Sequence, residues 1–331
     1  MNIAIISSWH VHAEEYANAF AAMPDCRITA VWDEREDAGR AFADKLGCPF
    51  VADYEALLQD SSLDGIVMTA PTCLHKDMLL QAARAGKHIF TEKVLAITAE
   101  DAYAIAAAVK ENHVKFVISF PHRCRGDLNY AYAMARSGKL GEITYARVRN
   151  AHNGSIANWL PPHFYDEALC GGGAMIDLGA HPMYLLPWIL GQPQSVVSTF
   201  TRVTGREVED NAVSVITFAN GAIGVSETGF VSQDDLFTLE LCGTLGSLSV
   251  RGSQVSYSCS ETGHQWVTVE ELPKALPSPQ QQWVDAVIRD TPVICGIDEA
   301  VALTVLMEGA YRSYRTGSRC PLLFDESPSF P

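Results

Sequence analysis

Apolar positions in the first part of the chain arrive in short runs, each followed by a stretch with helical spacing. Asn2–Ile6 is one such run, and Ala13, Tyr16, Ala17 and Phe20 then recur as a single helix face requires. Arg27–Trp32 predicts a second strand, with a helix behind it that reaches Leu46 and stops at Gly47. Further strands are expected at Asp64–Met68, Lys87–Phe90 and Lys115–Phe120. Helical patterns lie between them at His75–Ala85, ended by Gly86, and at Ala99–Asn112, for which Thr98 is a suitable cap. Strand–helix units repeated at this spacing predict a doubly wound, mostly parallel α/β sheet over residues 1–120.

The rhythm changes after Phe120. A helix over Asp127–Ser137 ends at Gly138, Ile143–Val148 reads as a strand, and Ala151 to Gly173 reads as loop. Strand candidates then follow without helices between them: Ser195–Val203, Ala212–Phe218, Ala222–Phe230, Phe237–Cys242 and Ser247–Val250. Asn220-Gly221 is a hairpin turn signal between two of these. Helical runs at Gln280–Ile288 and Asp298–Arg312 complete a second domain of α+β type over residues 121–331.

Between the two patterns stands GGGAMIDLGAHPMYLLPWILG, Gly171 to Gly191. Asp177 and His181 are four apart in it, so in a helix they lie on one face. A carboxylate and an imidazole on a rigid element suit proton exchange with a bound hydroxyl. The same spacing also suits a buried helix with one satisfied Asp–His pair. Pro182 breaks a helix there unless it falls in the first turn.

Charge and cysteine content narrow the classes. The formal net charge of −15 repels phosphate backbones and anionic lipid, so neither nucleic acid nor a membrane surface is an expected partner. Nine scattered cysteines without a C-x-x-C argue against a disulfide framework or a structural zinc site, and no metal is expected. The opening MNIAIISSWHVH reads as a first strand rather than a targeting segment, and a cytoplasmic location is expected.

In an open parallel sheet, ligands lie off the carboxyl ends of the strands. Ser7-Ser8-Trp9-His10-Val11-His12 forms the turn after the first strand, where a dinucleotide pyrophosphate meets a helix N-terminus. The glycine fingerprint of that turn is missing: Ser7, Trp9 and His12 fall at its three positions. Asp33, after the second strand, suits an adenosine ribose and favours NAD, while nearby Arg35 keeps NADP open. Thr91-Glu92-Lys93 follows the Lys87–Phe90 strand, and a lysine there is placed to donate to a substrate oxygen.

Together these segments resemble the glucose–fructose oxidoreductase / inositol dehydrogenase (Gfo/Idh/MocA) family over nearly the whole chain. TAPTCLHKDMLLQAARAGKHIFTEKVLA (69–96) is similar to the family's Thr-Pro-Asn…His…Ala-Gly-Lys-His…Glu-Lys-Pro block. The Gly171 stretch is similar to its Gly-Gly-Gly…Asp-x-Gly-x-His block, and RSGKLGEI, Glu209-Asp210, FANGAIG and CGTLGSLSV match its second-domain landmarks.

The resemblance implies a Rossmann domain followed by an α+β domain with an open-faced, mostly antiparallel sheet, through which members often form homo-oligomers. It implies NAD as cofactor, with NADP less favoured, and a small sugar or polyol substrate. Ser7, Ser8, Trp9, His10, His12, Asp33, Arg35, Ala70, Pro71, His75, Glu92 and Lys93 are then expected beside the cofactor. Lys93, Asp177 and His181 are expected to be catalytic: His181 takes the hydroxyl proton, helped by the other two, as hydride leaves the same carbon. Two departures stand out, the missing glycines and Val94 in place of the proline after Glu-Lys.

His122 and Arg123 follow the Lys115–Phe120 strand, where the family has a polar pair beside its ligand. His152, Asn153, Trp159, His163 and Tyr165 in the long loop mix polar groups with aromatics, as a sugar pocket does. His10-x-His12 also suits a metal-dependent hydrolase on an α/β barrel, but the run of strands after Gly191 argues against a barrel. Two other functions remain open: a sugar-sensing protein that does not turn over, and an NAD-dependent glycosidase with a closed redox cycle.

Overall fold

The computed structural model describes residues 1–234 and 237–324. Contacts divide the chain into two units, Met1–Ser119 with Pro277–Val301, and Phe120–Leu276 with the chain from Ala302 onward.

The first unit alternates strand and helix as its apolar spacing requires. In chain order it holds β1 (Asn2–Ile6), α1 (Ala13–Ala21), β2 (Arg27–Trp32), α2 (Glu36–Leu46), α3 (Tyr54–Gln59), β3 (Gly65–Met68), α4 (His75–Arg84), β4 (His88–Thr91), α5 (Ala99–Glu111) and β5 (Phe116–Ile118). The strands form one sheet in the order β2-β1-β3-β4-β5, every neighbouring pair parallel. Gly47 ends α2 in the left-handed conformation at φ 67°, and the Thr98 side chain accepts the Asp101 amide at the start of α5. The short helix α3 had no expectation from periodicity; Asp53 caps it by accepting the Ala56 amide.

The second unit is built on a nine-stranded sheet. Its elements are α6 (Gly126–Arg136), β6 (Ile143–Ala151), α7 (Glu167–Cys170), α8 (Ala180–Leu190), β7 (Pro193–Thr201), β8 (Asn211–Phe218), β9 (Ile223–Gly229), β10 (Thr238–Gly243), β11 (Gly246–Arg251), β12 (Gln254–Cys259) and β13 (Val267–Thr268). The chain then forms α9 (Pro279–Arg289), α10 (Ile297–Thr316) and β14 (Cys320–Pro321). Strand order is β13-β12-β11-β10-β6-β9-β8-β7-β14, antiparallel throughout except for the central β6–β9 pair. Helix α8, buried on every residue, packs on β6 and β9. Burial alternates along β7 and β8, and Val197, Val213 and Val215 remain on the exposed face.

Helix α9, expected from the sequence in the second domain, packs in the first unit. Trp283 and Val284 join Ile3, Phe20, Val67 and Phe90 in one core. Gly65 makes the fit: a Cβ there would stand 2.9 Å from the Trp283 ring and 2.7 Å from the His88 carbonyl. The indole also lies edge-on to Phe20, at 5.5 Å between centroids. Of the expected second domain, residues 235, 236 and 325–331 lie outside the described residues. Among the described residues no helix is long and apolar enough to cross a membrane.

Because Trp283 is wholly buried, Trp283→Ala is expected to destabilise the protein by roughly 3–5 kcal/mol. Denaturant unfolding measures this; a loss under about 1 kcal/mol would mean that the α9 indole is not part of this core.

Candidate active site

In the first unit, the turn between β1 and α1 is set by its hydrogen bonds. Ser7 stands where a glycine is usual and adopts a left-handed backbone, at φ 76°. Its amide donates to the Trp32 carbonyl at 2.6 Å, and the Thr69 hydroxyl donates to the Ser7 carbonyl at 2.6 Å. The Asp33 carboxylate accepts the Ser8 amide and hydroxyl at 2.8 and 2.6 Å on one oxygen, and the Arg35 amide at 2.9 Å on the other. The acid expected at a ribose therefore also clamps the turn.

Trp9 is half-buried, with its ring 6.1 Å from that of His10. His12 precedes α1 and makes no side-chain cap bond, and the Ala13 amide is taken by the His10 carbonyl at 3.0 Å. A left-handed first residue, an uncapped helix start and an acid after β2 are the features that a dinucleotide requires, and the residues present fit it.

Glu92 and Lys93 follow β4, both buried. Glu92 accepts the Tyr16 hydroxyl on Oε1 and the Lys93 amide at 2.8 Å on Oε2, and the Ser119 hydroxyl, 2.8 Å from the Tyr16 oxygen, donates to it. Burial alone would raise the Glu92 carboxyl, but His10, Lys93 and His12 around it hold it below its ordinary value. Burial and the Glu92 charge push the Tyr16 phenol far up, so it remains a donor. A cis peptide bond joins Lys93 to Val94.

Behind Lys93, the buried His75 ring lies 3.1 Å from the carbonyls of Ala70, Val94 and Leu95. It braces the Ala70-Pro71 turn against the segment after Lys93. Burial pushes its pKa down.

In the second unit, the glycines of Gly171–Gly173 are required by neighbours. Gly171 is left-handed at φ 84°, a Cβ on Gly172 would overlap the Tyr311 hydroxyl, and one on Gly173 would overlap the Glu209 carbonyl. Glu209 Oε1 accepts the amides of Gly173 and Met175 at 2.9 Å and the Tyr311 hydroxyl at 2.6 Å. Its neighbour Asp210 accepts the amides of Val203 and Thr204, both at 2.7 Å. Glu209 thus holds the segment that leads into Asp177, while Asp210 holds the turn at Val203 and Thr204.

Asp177 lies in that turn rather than on a helix, and His181 is the second residue of α8. The expected single helical face is therefore replaced by a turn and the helix it leads into. Pro182 falls in the first turn of α8, where its missing amide is tolerated. His181 is buried, its Nδ1 2.8 Å from the Tyr184 hydroxyl. His122 packs edge-on to it at 4.6 Å and stacks on Phe237 at 4.8 Å. Arg125 stands over Phe237 and reaches His122 Nδ1 at 3.1 Å. Arg123 is turned to Trp188 instead, 5.1 Å from its ring.

The long loop has its own small core of Leu160, Phe164, Ala174 and Phe230, and contains the short helix α7. His152 stacks on Phe230 at 5.0 Å and meets Trp159 at a tilt at 4.5 Å, and the Trp159 indole donates to Asn153 Oδ1 at 2.9 Å. His163 lies beside Phe164 at 5.2 Å. Tyr165 lines a cavity of about 620 Å³ with Asn158, Asp166, Arg206 and Glu207. The Arg206 guanidinium lies 3.8 Å from the Tyr165 ring centroid. Of the seven substrate positions expected from sequence, only Tyr165 lines this cavity.

Sequence reading did not single out Tyr184, Arg125 or Ser119. Tyr16 was read only as a core position, and Arg125-x-Asp127, a side-chain ion pair, was the one signal for the cluster around His122.

Residues 1–120 match the family model described as "Oxidoreductase family, NAD-binding Rossmann fold", and residues 128–249 match "GFO/IDH/MocA C-terminal domain". The chain is 24% identical to D-glucoside 3-dehydrogenase of Escherichia coli (strain K12), over 97% of each chain. It is 26% identical to scyllo-inositol 2-dehydrogenase (NAD(+)) of Bacillus subtilis (strain 168), over 91% of this chain and 90% of that one. Among solved structures, levoglucosan dehydrogenase in complex with NADH and levoglucosan superposes with a TM-score of 0.85 at 19% identity, covering 98% of this chain and 99% of that one.

Burial raises the Glu209 carboxyl above its ordinary value, against the lowering effect of Tyr311 and the amides it accepts. The native state therefore keeps this proton longer than the unfolded chain does. Its contribution is full below the unfolded value of about 4.3 and is lost as pH rises through the folded value. Glu209→Gln retains an accepting oxygen and removes that loss. Urea unfolding from about pH 4 to about pH 8 is expected to show wild type losing stability relative to the variant as pH rises; parallel curves would contradict it.

Proposed function

The chain belongs to the GFO/IDH/MocA oxidoreductases, and from that membership we propose that it oxidises a secondary hydroxyl of a sugar, polyol or glycoside. NAD, when bound, supplies the hydride acceptor. The observation that carries the reading is His181: a buried imidazole at the start of α8, held by Tyr184, directly after a glycine-shaped turn bearing Asp177.

The His181 imidazole, with Nδ1 held 2.8 Å from the Tyr184 hydroxyl, exchanges a proton with the substrate hydroxyl. The Asp177 carboxylate favours the imidazolium that results. The Lys93 ammonium donates to the reacting oxygen and stabilises the negative charge developing there. The long loop supplies selectivity, with Trp159 exposed by 54% as an apolar face for a sugar ring. Ser7, in the conformation of the missing glycine, favours a cofactor-binding enzyme over a protein that only senses sugar.

The exposed side of the nine-stranded sheet presents Val197, Val213, Val215 and Ile223, a surface suited to a homo-oligomer contact. All nine cysteines are free thiols, in keeping with a reducing cytoplasm.

NADH absorbance over a panel of polyols, free sugars and glycosides tests the reading, and reduction of NAD by at least one of them is expected. A glycoside cleaved in the presence of NAD without net NADH would replace it with a hydrolase. Lys93→Ala and His181→Ala are each expected to lower turnover by at least ~10²-fold with unchanged circular dichroism. A near-normal rate in either variant removes that residue from the proton transfer.

A further inference from the structure

His10 and His12 from the turn after β1 meet Glu92 from the end of β4, far away in sequence. One ligand atom from each lies within 4.8 Å of the other two. His10 Nδ1 is 3.9 Å from Glu92 Oε1, and the two imidazole centroids are 5.1 Å apart. We propose that these three side chains bind a divalent transition-metal ion, zinc by preference, at the cofactor turn of the first unit.

The donor set selects the class of ion. Two imidazoles with one carboxylate suit zinc and its first-row neighbours, whereas magnesium and calcium are held by oxygen alone. Three protein ligands leave a fourth position for water or a ligand oxygen, as in open rather than structural zinc sites.

Outer contacts that orient such ligands are already in place. The Tyr16 hydroxyl and the Lys93 amide fix the two Glu92 oxygens, Ser119 fixes Tyr16, and the His10 amide donates to the Thr69 carbonyl at 3.2 Å. Tetrahedral bonds of about 2.0–2.1 Å place ligand atoms about 3.3 Å apart, so the cluster must draw in on binding. His12 is the side chain that can move, being 46% exposed and paired with an exposed glutamate, Glu15.

The site falls where the chain departs from the glycine pattern, with His12 at the third glycine position. An ion of charge +2 against one carboxylate leaves net positive charge beside the start of α1. The proposal does not depend on the dehydrogenase reading and stands or falls separately from it.

The test is calorimetric titration of chelator-stripped full-length protein with zinc chloride, and with magnesium chloride for comparison. One zinc per chain and no comparable magnesium binding are expected. His12→Ala, which changes an exposed side chain, should keep the far-UV circular dichroism and weaken zinc binding at least about tenfold, and His10→Ala should do the same. Exposed Cys73 is the competing ligand, so Cys73→Ala should leave the affinity unchanged. The cobalt(II) form should show visible d–d bands without a thiolate charge-transfer band. Zinc binding that survives His12→Ala, is lost in Cys73→Ala or falls well short of one ion per chain would overturn the proposal.

Discussion

An ionised carboxylate buried at the end of β4 is the constraint on which the first unit depends. Glu92 is only 3% exposed, and taking such a charge out of water costs several kcal/mol unless other groups offset it. The Lys93 amide and the Tyr16 hydroxyl provide that compensation, with His10 close by. Each tie fixes a different piece of chain: Tyr16 orients α1, Ser119 marks the end of β5, and the Lys93 amide sets the backbone that presents the ammonium. The second unit also gathers backbone around a buried acid, Glu209, which accepts two amides and a phenol and shapes the turn before α8. In both units, proton-handling candidates stand next to a buried acid that positions backbone.

The cofactor turn shows how the same geometry survives without its usual residues. Glycine permits a left-handed residue at its start, and Ser7 adopts that conformation because its amide and carbonyl are both held, by Trp32 and Thr69. Asp33 completes the clamp through Ser8 and Arg35. A conformation that costs a non-glycine residue some energy is thus maintained by buried hydrogen bonds around it.

Local pattern was legible wherever the chain's own spacing decides the outcome. The strands β1 to β5, the caps at Gly47 and Thr98 and the hairpin at Asn220-Gly221 follow from periodicity and turn chemistry, and the structure bears them out. Periodicity identifies the apolar face of α9 but not the core that receives it, so its partner in the first unit was not foreseen. The strand β12, with its mix of serine and apolar residues, gave too weak an alternation to be recognised. Asp177 and His181 have the spacing of a helical pair, yet the three glycines and Glu209 make a turn of the segment holding Asp177. The meeting of His10 and His12 with Glu92 is a consequence of sheet order, which brings together the ends of strands that sequence separates.

Native mass spectrometry of the purified full-length protein, incubated with excess NAD, tests the central claim most directly. That claim is that a turn with Ser7, Trp9 and His12 at the three glycine positions, clamped by Asp33, still seats a dinucleotide. The account predicts a species heavier than the bare chain by one NAD per chain. Bare chain alone, under conditions where the protein is folded, would contradict it.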